Sequence, residues 1–502
     1  MQYCNSYTTF IHSVPSIGAA DASAAARVDM TNLEEHLLVP PPNPTKPHAS
    51  GIRWWLLIIA SCIAGGQGGI WIIYSVTAEA VEPIYNWNQQ TIALLSLWGP
   101  LLFLVGCVPS MWLLDVGGLR LTAIVTSFVV FAGSVARIVH RGGDETGAVF
   151  AHLGQILNGL GGPVAMSIAP KLSAVWFPPS ERNAATAIVS TANYGGTALF
   201  FALGTVCVPA GRSREQTIAM LWNLNFGVAI FSGLLFLACV FSFPARPPVA
   251  PSLSASQARE SPLVGLRKLR RRPAFWSIGI SFAVVSGIFQ GWGSLLVPNM
   301  QQVLPPGEAE KQADLIGTMG AIAGMVGGIG LGLVADRWQA SKGRRKALLI
   351  SCCVCAAVCF TGFAFACSPL ERHVSASSRL PMMYAFSIVG SLFVNAATPL
   401  YFELCVEATF PIAEGLTVTV VTLLQAFPVT TFTALPLLTA SDASLHWMNW
   451  AVVGACAFGA LVLLPVEEPR RRLALDVTTS ASTAVVGAAQ HQRVDPIQAA
   501  SP

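Results

Sequence analysis

The sequence predicts an all-α, twelve-span membrane protein built from two six-helix pseudo-symmetric halves. Three observations carry that expectation. Of its 502 residues, 53% are hydrophobic and only 11% charged, against about 25% charged in soluble domains. Polar surface is therefore too scarce to enclose a core in water. Apolar runs long enough to cross a bilayer as helices follow one another along most of the chain. Finally, one loop device occurs twice. The run from Ile92 ends at Asp115, and Gly117, Gly118 and Arg120 open the next; the later run ends at Asp336-Arg337, and Gly343, Arg344, Arg345 and Lys346 open its successor. The glycines permit a tight helix–helix turn. Asp115 stands where span three begins, at a helix end that favours an acid.

Taken in order, residues 1–50 are polar and end in a proline-rich stretch, so they read as a disordered tail. No signal-peptide apolar core occurs there. Spans are expected at about 54–81, 91–114, 119–139, 148–175, 183–208, 217–243, 274–299, 313–335, 346–367, 381–408, 413–438 and 445–465. The bundles thus cover 51–243 and 273–466, joined by a Pro/Ser-rich linker at 244–272 that ends in a basic run. Residues 467–502 read as a second disordered tail. With both tails and the linker in the cytosol, all but seven of the 29 basic residues fall on that side, as the positive-inside rule requires. The exceptions are Arg137, Arg141, Arg212, Arg214, Lys311, Arg372 and Arg379.

Two further echoes support duplication. Phe177-Pro178-x-x-Glu181 ends span four and Phe410-Pro411-x-x-Glu414 ends span ten; Gln67-Gly68 with Trp71 in span one matches Gln290-Gly291-Trp292 in span seven. Carriers built from parallel repeats hold substrate at the repeat interface near mid-membrane.

The twin Asp/Gly/basic loops resemble the loop signature of the major facilitator superfamily. Trp98-Gly99-Pro100, Trp112 to Asp115, Gly154-Gln155 with Asn158, Trp176 to Ala187, and Glu403 to Pro411 narrow the resemblance. They are similar to the solute carrier family that includes the feline leukaemia virus subgroup C receptors, its lysosomal branch above all. The resemblance spans roughly residues 53–465 and implies a major-facilitator transporter of a small organic solute: choline or haem in the receptor branch, proton-driven pyridoxine export in the lysosomal one. It also implies that spans one, four, seven and ten line the cavity. The choline-handling members carry a glutamine in span five where this chain has Tyr194. The lysosomal branch uses an acidic dileucine address, read by sorting adaptors, which Glu34-Glu35-His36-Leu37-Leu38 approximates.

Polar groups inside spans are costly unless they face a cavity or a partner. Gln67, Trp71, Asn158, Tyr194, Gln290 and Gln425 are therefore the expected substrate-binding residues. Aromatic rings beside amides suit a flat or cationic solute, and interhelical hydrogen bonding is the competing role for each. Glu403 and Glu407, four residues apart on one helical face, are expected to close a cytosolic gate against Lys171, Arg120 or Arg182, with proton relay as the alternative. Asp115 and Asp336 complete the expected conformational set.

Nothing in the sequence calls for a cofactor or a metal. The cysteines at 352, 353, 355 and 359 lack a histidine partner and suit apolar packing. No phosphate-cradling loop or catalytic constellation appears, so the chain is not expected to be an enzyme. A net charge of +4 gives no reason to expect nucleic acid. The expected partners are a small-molecule substrate and the lipid bilayer, with proton coupling on the lysosomal reading. A receptor or sensor on the same fold is the rival to a working carrier.

Overall fold

Helix is the conformation in which an apolar segment satisfies its own backbone in lipid, and the chain is helical at every expected span. The computed structural model describes residues 50–477 apart from 86, 88, 143, 210, 339–340, 369–375 and 439–445. The expected tail and sorting stretch up to Ala49, Arg372, and residues 478–502 lie outside the described residues. Span one is Ile52–Trp71, continued past two interruptions by Ile73–Val76 and Ala78–Tyr85. Spans two to six are Gln89–Trp112, Gly118–Val139, Glu145–Trp176, Arg182–Cys207 and Arg214–Ser242. Span seven is Pro273–Ser294, followed by the short Leu296–Met300; spans eight to twelve are Pro306–Arg337, Arg344–Ala366, Ala376–Thr409, Glu414–Leu438 and Trp447–Leu463. Among the described residues eight stretches are long and apolar enough to cross a membrane, Leu97–Val139 joining spans two and three. Spans four, five and twelve fall outside that set. Span twelve is shorter, and four and five carry the amides and hydroxyls that the bundle buries.

The two halves pack alike. Span one lies on five, two on four, three on four and six; correspondingly seven lies on eleven, eight on ten, nine on ten and twelve. Contacts between halves obey the same symmetry, span five meeting eight and span two meeting eleven. Glycine permits the closest approach: at Gly196 of span five an added Cβ would overlap the Gly65 backbone of span one. The duplicated loop also repeats a positive φ, although ψ differs, 171° at Gly118 and −14° at Gly343. Gly118 has φ 81° and Gly343 has φ 86°, the left-handed region that glycine alone enters without strain. Between Trp112 and Gly118 the helix widens into a π turn, Leu113–Gly117, that carries Asp115.

The linker holds two short helices, Leu253–Ser256 and Pro262–Leu269, and one tail expectation changes. Residues 467–477, expected to be disordered, instead fold back on the bundle, and 471–477 are helical. Their sequence explains why. Arg472 and Asp476 share one helical face four residues apart, Leu473 lies beside them, and all three are buried.

Candidate functional site

At the end of the bundle that carries the linker, charged side chains join the halves in a continuous closure. The Asp115 carboxylate accepts hydrogen bonds from the backbone N–H groups of Gly415 (3.0 Å) and Leu416 (2.7 Å). These are unsatisfied donors in the first turn of span eleven, where the helix dipole favours an anion. The dipole that Asp115 serves is therefore that of span eleven in the other half, not that of span three as the sequence suggested. Asp336 repeats the arrangement in reverse. It accepts from the N–H groups of Asn183 (3.1 Å) and Ala184 (2.9 Å) and from Asn183 Nδ2 (2.7 Å), at the start of span five.

Lys171 of span four donates to Glu414 (3.0 Å) and lies 3.4 Å from Asp115, while Arg259 of the linker holds the other Glu414 oxygen at 2.7 Å. Glu403 of span ten accepts from Ser173 (2.9 Å) and from Thr186, both in the opposite half. None of the expected bases forms an ion pair with the two span-ten acids among the described residues, although Arg182 lies close enough to feel both charges. Arg472 does pair with them: its Nη2 reaches Glu403 at 2.6 Å, its Nε lies 3.3 Å from Glu407, and its backbone N–H donates to Glu407 at 3.1 Å. Burial draws the Arg472 guanidinium towards deprotonation, and Glu403 and Glu407 overcome that pull, so its pKa lies above the ordinary arginine value. Arg182 instead pairs with Asp476 at 3.0 Å and donates to Ser252 and Ser254. Arg120 is exposed and donates to the Val240 carbonyl of its own half. The basic loop of the second half is also engaged, Arg345 meeting Glu468 at 2.9 Å.

Glu414, Arg259, Arg472 and Asp476 are absent from the set expected on sequence alone. Glu414 is visible there as the end of a repeated motif, and the Arg472/Asp476 spacing as an amphipathic turn. Neither signal names a partner. Close packing completes the closure. An added Cβ at Gly332 of span eight would lie 2.8 Å from the Ala187 Cβ and 2.9 Å from the Asn183 carbonyl. Gly332→Ala should therefore loosen the closed end by roughly 1–3 kcal/mol, the usual cost of overpacking. The check is the labelling rate of a cysteine introduced between the halves at that end: it should rise at least several-fold, and an unchanged rate refutes the prediction.

The expected substrate-binding residues do not form one cluster. Gln67 is buried, its carbonyl accepting from Asn158 Nδ2 (3.2 Å) and its Oε1 from Asn193 Nδ2 (3.2 Å). The side-chain oxygen of Asn158, Oδ1, is buried without a partner. The Trp71 carbonyl accepts from Gln155 at 3.0 Å, and its indole packs against Gly99 of span two, where an added Cβ would collide with the indole nitrogen. Tyr194 lies beside Thr398 of span ten, across the half boundary. Gln425 donates to Ser286 of span seven at 2.8 Å. Gln290 is exposed. The echo between spans one and seven is not a structural equivalence at the tryptophans. Four residues separate Gln67 from Trp71, which keeps them on one helical face, but two separate Gln290 from Trp292, which turns them apart. Trp292 is accordingly buried in the second half among Phe289, Phe360 and Phe363, and donates to Asn449 at 2.8 Å. Among the described residues no group of His, Cys, Asp and Glu is arranged to hold a metal.

Comparison with known proteins places this architecture. Residues 56–342 match the Major Facilitator Superfamily. The chain is 33% identical over 462 residues to a solute carrier family 49 member 4 homolog of Xenopus tropicalis, covering 89% of this chain and 98% of that protein. It is 28% identical to the choline/ethanolamine transporter FLVCR1 of Mus musculus, over 75% of this chain and 68% of the relative. Among solved structures, a single-residue variant of the Escherichia coli fucose:proton symporter FucP superposes with a TM-score of 0.60 at 13% identity, covering 81% of this chain and 98% of that one. A double-tryptophan variant of XylE gives 0.61 at 12% identity, covering 86% and 99%. The shared helical architecture and the near full-length likeness lead to one assignment: the chain belongs to the major facilitator superfamily and, within it, to solute carrier family 49, a family of membrane transporters and not of enzymes.

Proposed function

We propose that this transporter moves a small ring-bearing or cationic organic metabolite, pyridoxine-like or of the organic-cation type, across the lysosomal membrane by alternating access. On this reading residues 51–243 and 273–466 are the two moving bodies, the 244–272 linker and the closed end face the cytosol, and transport is proton-coupled. Glu403 and Glu407, buried carboxylates at the half boundary, are the groups at which a coupled proton would act. The observation that carries the reading is the closure itself. Asp115 and Asp336 each cap a helix of the opposite half, an arrangement that exists only while that end is shut and that must break for the cavity to open there. The near full-length likeness to a solute carrier family 49 member 4 homolog supports the member 4 branch, and the lysosomal membrane rests on the resemblance of the sequence motifs to that branch. The likeness to a choline/ethanolamine transporter supports an organic cation, and makes a plasma-membrane choline carrier the second reading.

Uptake of candidate solutes into proteoliposomes, with and without an inward proton gradient, tests the proposal. Gradient-stimulated accumulation of a pyridoxine-like solute is the expected result. Choline uptake indifferent to the gradient would favour the second reading, and binding without counterflow would favour a receptor.

Trp71 lies roughly 26 Å along span one at 1.5 Å per residue, towards the end opposite the closure, and is half-buried. A ring stacked on a flat or cationic solute contributes about 1–2 kcal/mol. Trp71→Ala should therefore weaken solute binding about tenfold, and Trp71→Phe less. Equally tight binding by a correctly sorted Trp71→Ala protein would leave Trp71 as a packing residue against Gly99.

A further inference from the structure

Among the described residues five basic side chains are buried: Arg137, Lys171, Arg182, Arg345 and Arg472. Four of them have carboxylate partners, Lys171 with Glu414, Arg182 with Asp476, Arg345 with Glu468, and Arg472 with Glu403 and Glu407. Arg137 differs. It sits in the last turn of span three, at the end of the bundle away from the linker, and is 5% exposed. Its Nη2 donates to the Gly154 carbonyl and to Gln155 Oε1, each at 2.8 Å. Its Nε and Nη1 are buried with no partner. A guanidinium cannot shed its charge in a protein, and an uncompensated buried charge costs several kcal/mol.

The position is built rather than incidental. An added Cβ at Gly154 would lie 2.6 Å from Arg137 Cγ and 2.8 Å from Nε, and one at Gly133 would lie 2.9 Å from the Gly154 carbonyl. Two glycines thus open the groove between spans three and four in which the arginine lies. Beside it is a cavity of about 30 Å³, lined by Arg137, Tyr74, Trp222 and Asn225 and bordered by His140 and Arg141. That volume holds one water or one monatomic ion. The border is basic: Arg141 stacks over Trp222 at 4.9 Å, and His140 is held by Asp144 at 2.6 Å. Asn225 Oδ1 is also buried without a partner, its Nδ2 being spent on the Leu221 carbonyl. As an acceptor, that oxygen takes a bond from a water and none from an anion.

We propose that this cavity is a halide-sized anion site, with Arg137 as its charged ligand and chloride as its physiological class of occupant. The site lies within the first half, apart from the closure at the linker end, and does not depend on the transported solute. An anion there compensates the charge of the unpaired arginine, and a small shift of the guanidinium would bring its orphaned N–H groups, inaccessible as they stand, into charge-assisted bonds with it. A water could take the hydrogen bonds of Arg137 and Asn225 but would leave the charge uncompensated.

The test uses the purified full-length protein in detergent at fixed ionic strength, with gluconate replaced stepwise by chloride, bromide or sulfate. Thermal unfolding is followed by tryptophan fluorescence. Chloride and bromide should raise the midpoint saturably by about 2–4 °C, whereas sulfate, too large for the cavity, should not. Arg137→Gln should lose the response. Gly154→Ala keeps the charge but displaces the guanidinium, and should weaken the apparent chloride affinity at least fivefold, so it decides the matter if the glutamine variant does not fold. No halide response in the parent protein would mean that water alone occupies the cavity and would overturn the proposal. So would equal responses to all three anions, or an undiminished response in both variants.

Discussion

Replacing Arg472 with alanine should open the linker end of the transporter. The substitution leaves Glu403 and Glu407 buried without their base, since the other partners of Glu403 are the hydroxyls of Ser173 and Thr186. Breaking one side of a buried ion pair costs about 3–5 kcal/mol. That penalty falls on the closed arrangement alone, because opening lets water reach both carboxylates. Relative to the parent, the open population should rise by a factor on the order of 10² to 10³, at about 1.4 kcal/mol per tenfold. Cysteines introduced on the facing surfaces of spans four and ten near the linker end report the change as faster labelling. A companion variant, Arg472→Lys, keeps the charge but loses the two-nitrogen grip on two acids and should lie between the alanine variant and the parent. Labelling at the parental rate in Arg472→Ala would mean that the C-terminal helix rests on the closure without holding it.

The second large effect is expected at the paired aspartates. Asp336→Ala removes three hydrogen bonds from span five, two of them to backbone N–H groups that no helical carbonyl serves. Hydrogen bonds to charged groups contribute about 1.5–3 kcal/mol each, but water reaches some of these donors once the cap is gone, so a net loss of roughly 3 kcal/mol is expected. Asp115→Asn is gentler: one amide oxygen still accepts, but the charge at the start of span eleven and opposite Lys171 is lost. Both variants should slow solute exchange more than they weaken binding, because both carboxylates belong to the closure and touch none of the six candidate substrate residues. Binding and exchange rates measured on the same proteoliposome preparation separate the two effects. If affinity collapsed while exchange per bound solute held, the aspartates would belong to the solute site.

The two variants also bear on what duplication means here. The repeat preserved a local instruction, an acid at the end of one span and a glycine at φ near +80° before the next. Both copies put the acid to the same use, each capping the fifth span of the other half. It did not preserve the tryptophans, because a spacing of four and a spacing of two point to different sides of a helix.

That contrast marks the division between sequence and structure. Hydropathy run-lengths determine spans because each span satisfies its backbone alone, so helix number, helix order and the two-half repeat are readable locally. The loop glycines are likewise legible, since a positive φ is a property of one residue. Side-chain partners are another matter. Lys171 could have met Glu403, Glu407 or Glu414, and Arg182 could have met any of them. The choice fell to Glu414 and Asp476 through the rotation and depth of helices fixed by packing across the half boundary. The same packing recruited residues 467–477, whose composition alone resembles a solvated tail, by offering Glu403, Glu407 and Arg182 as buried counter-charges. It also left Arg137 without an acid among the described residues. A sequence lists its charges, but which of them are buried together depends on the low-dielectric interior that only the assembled helices create.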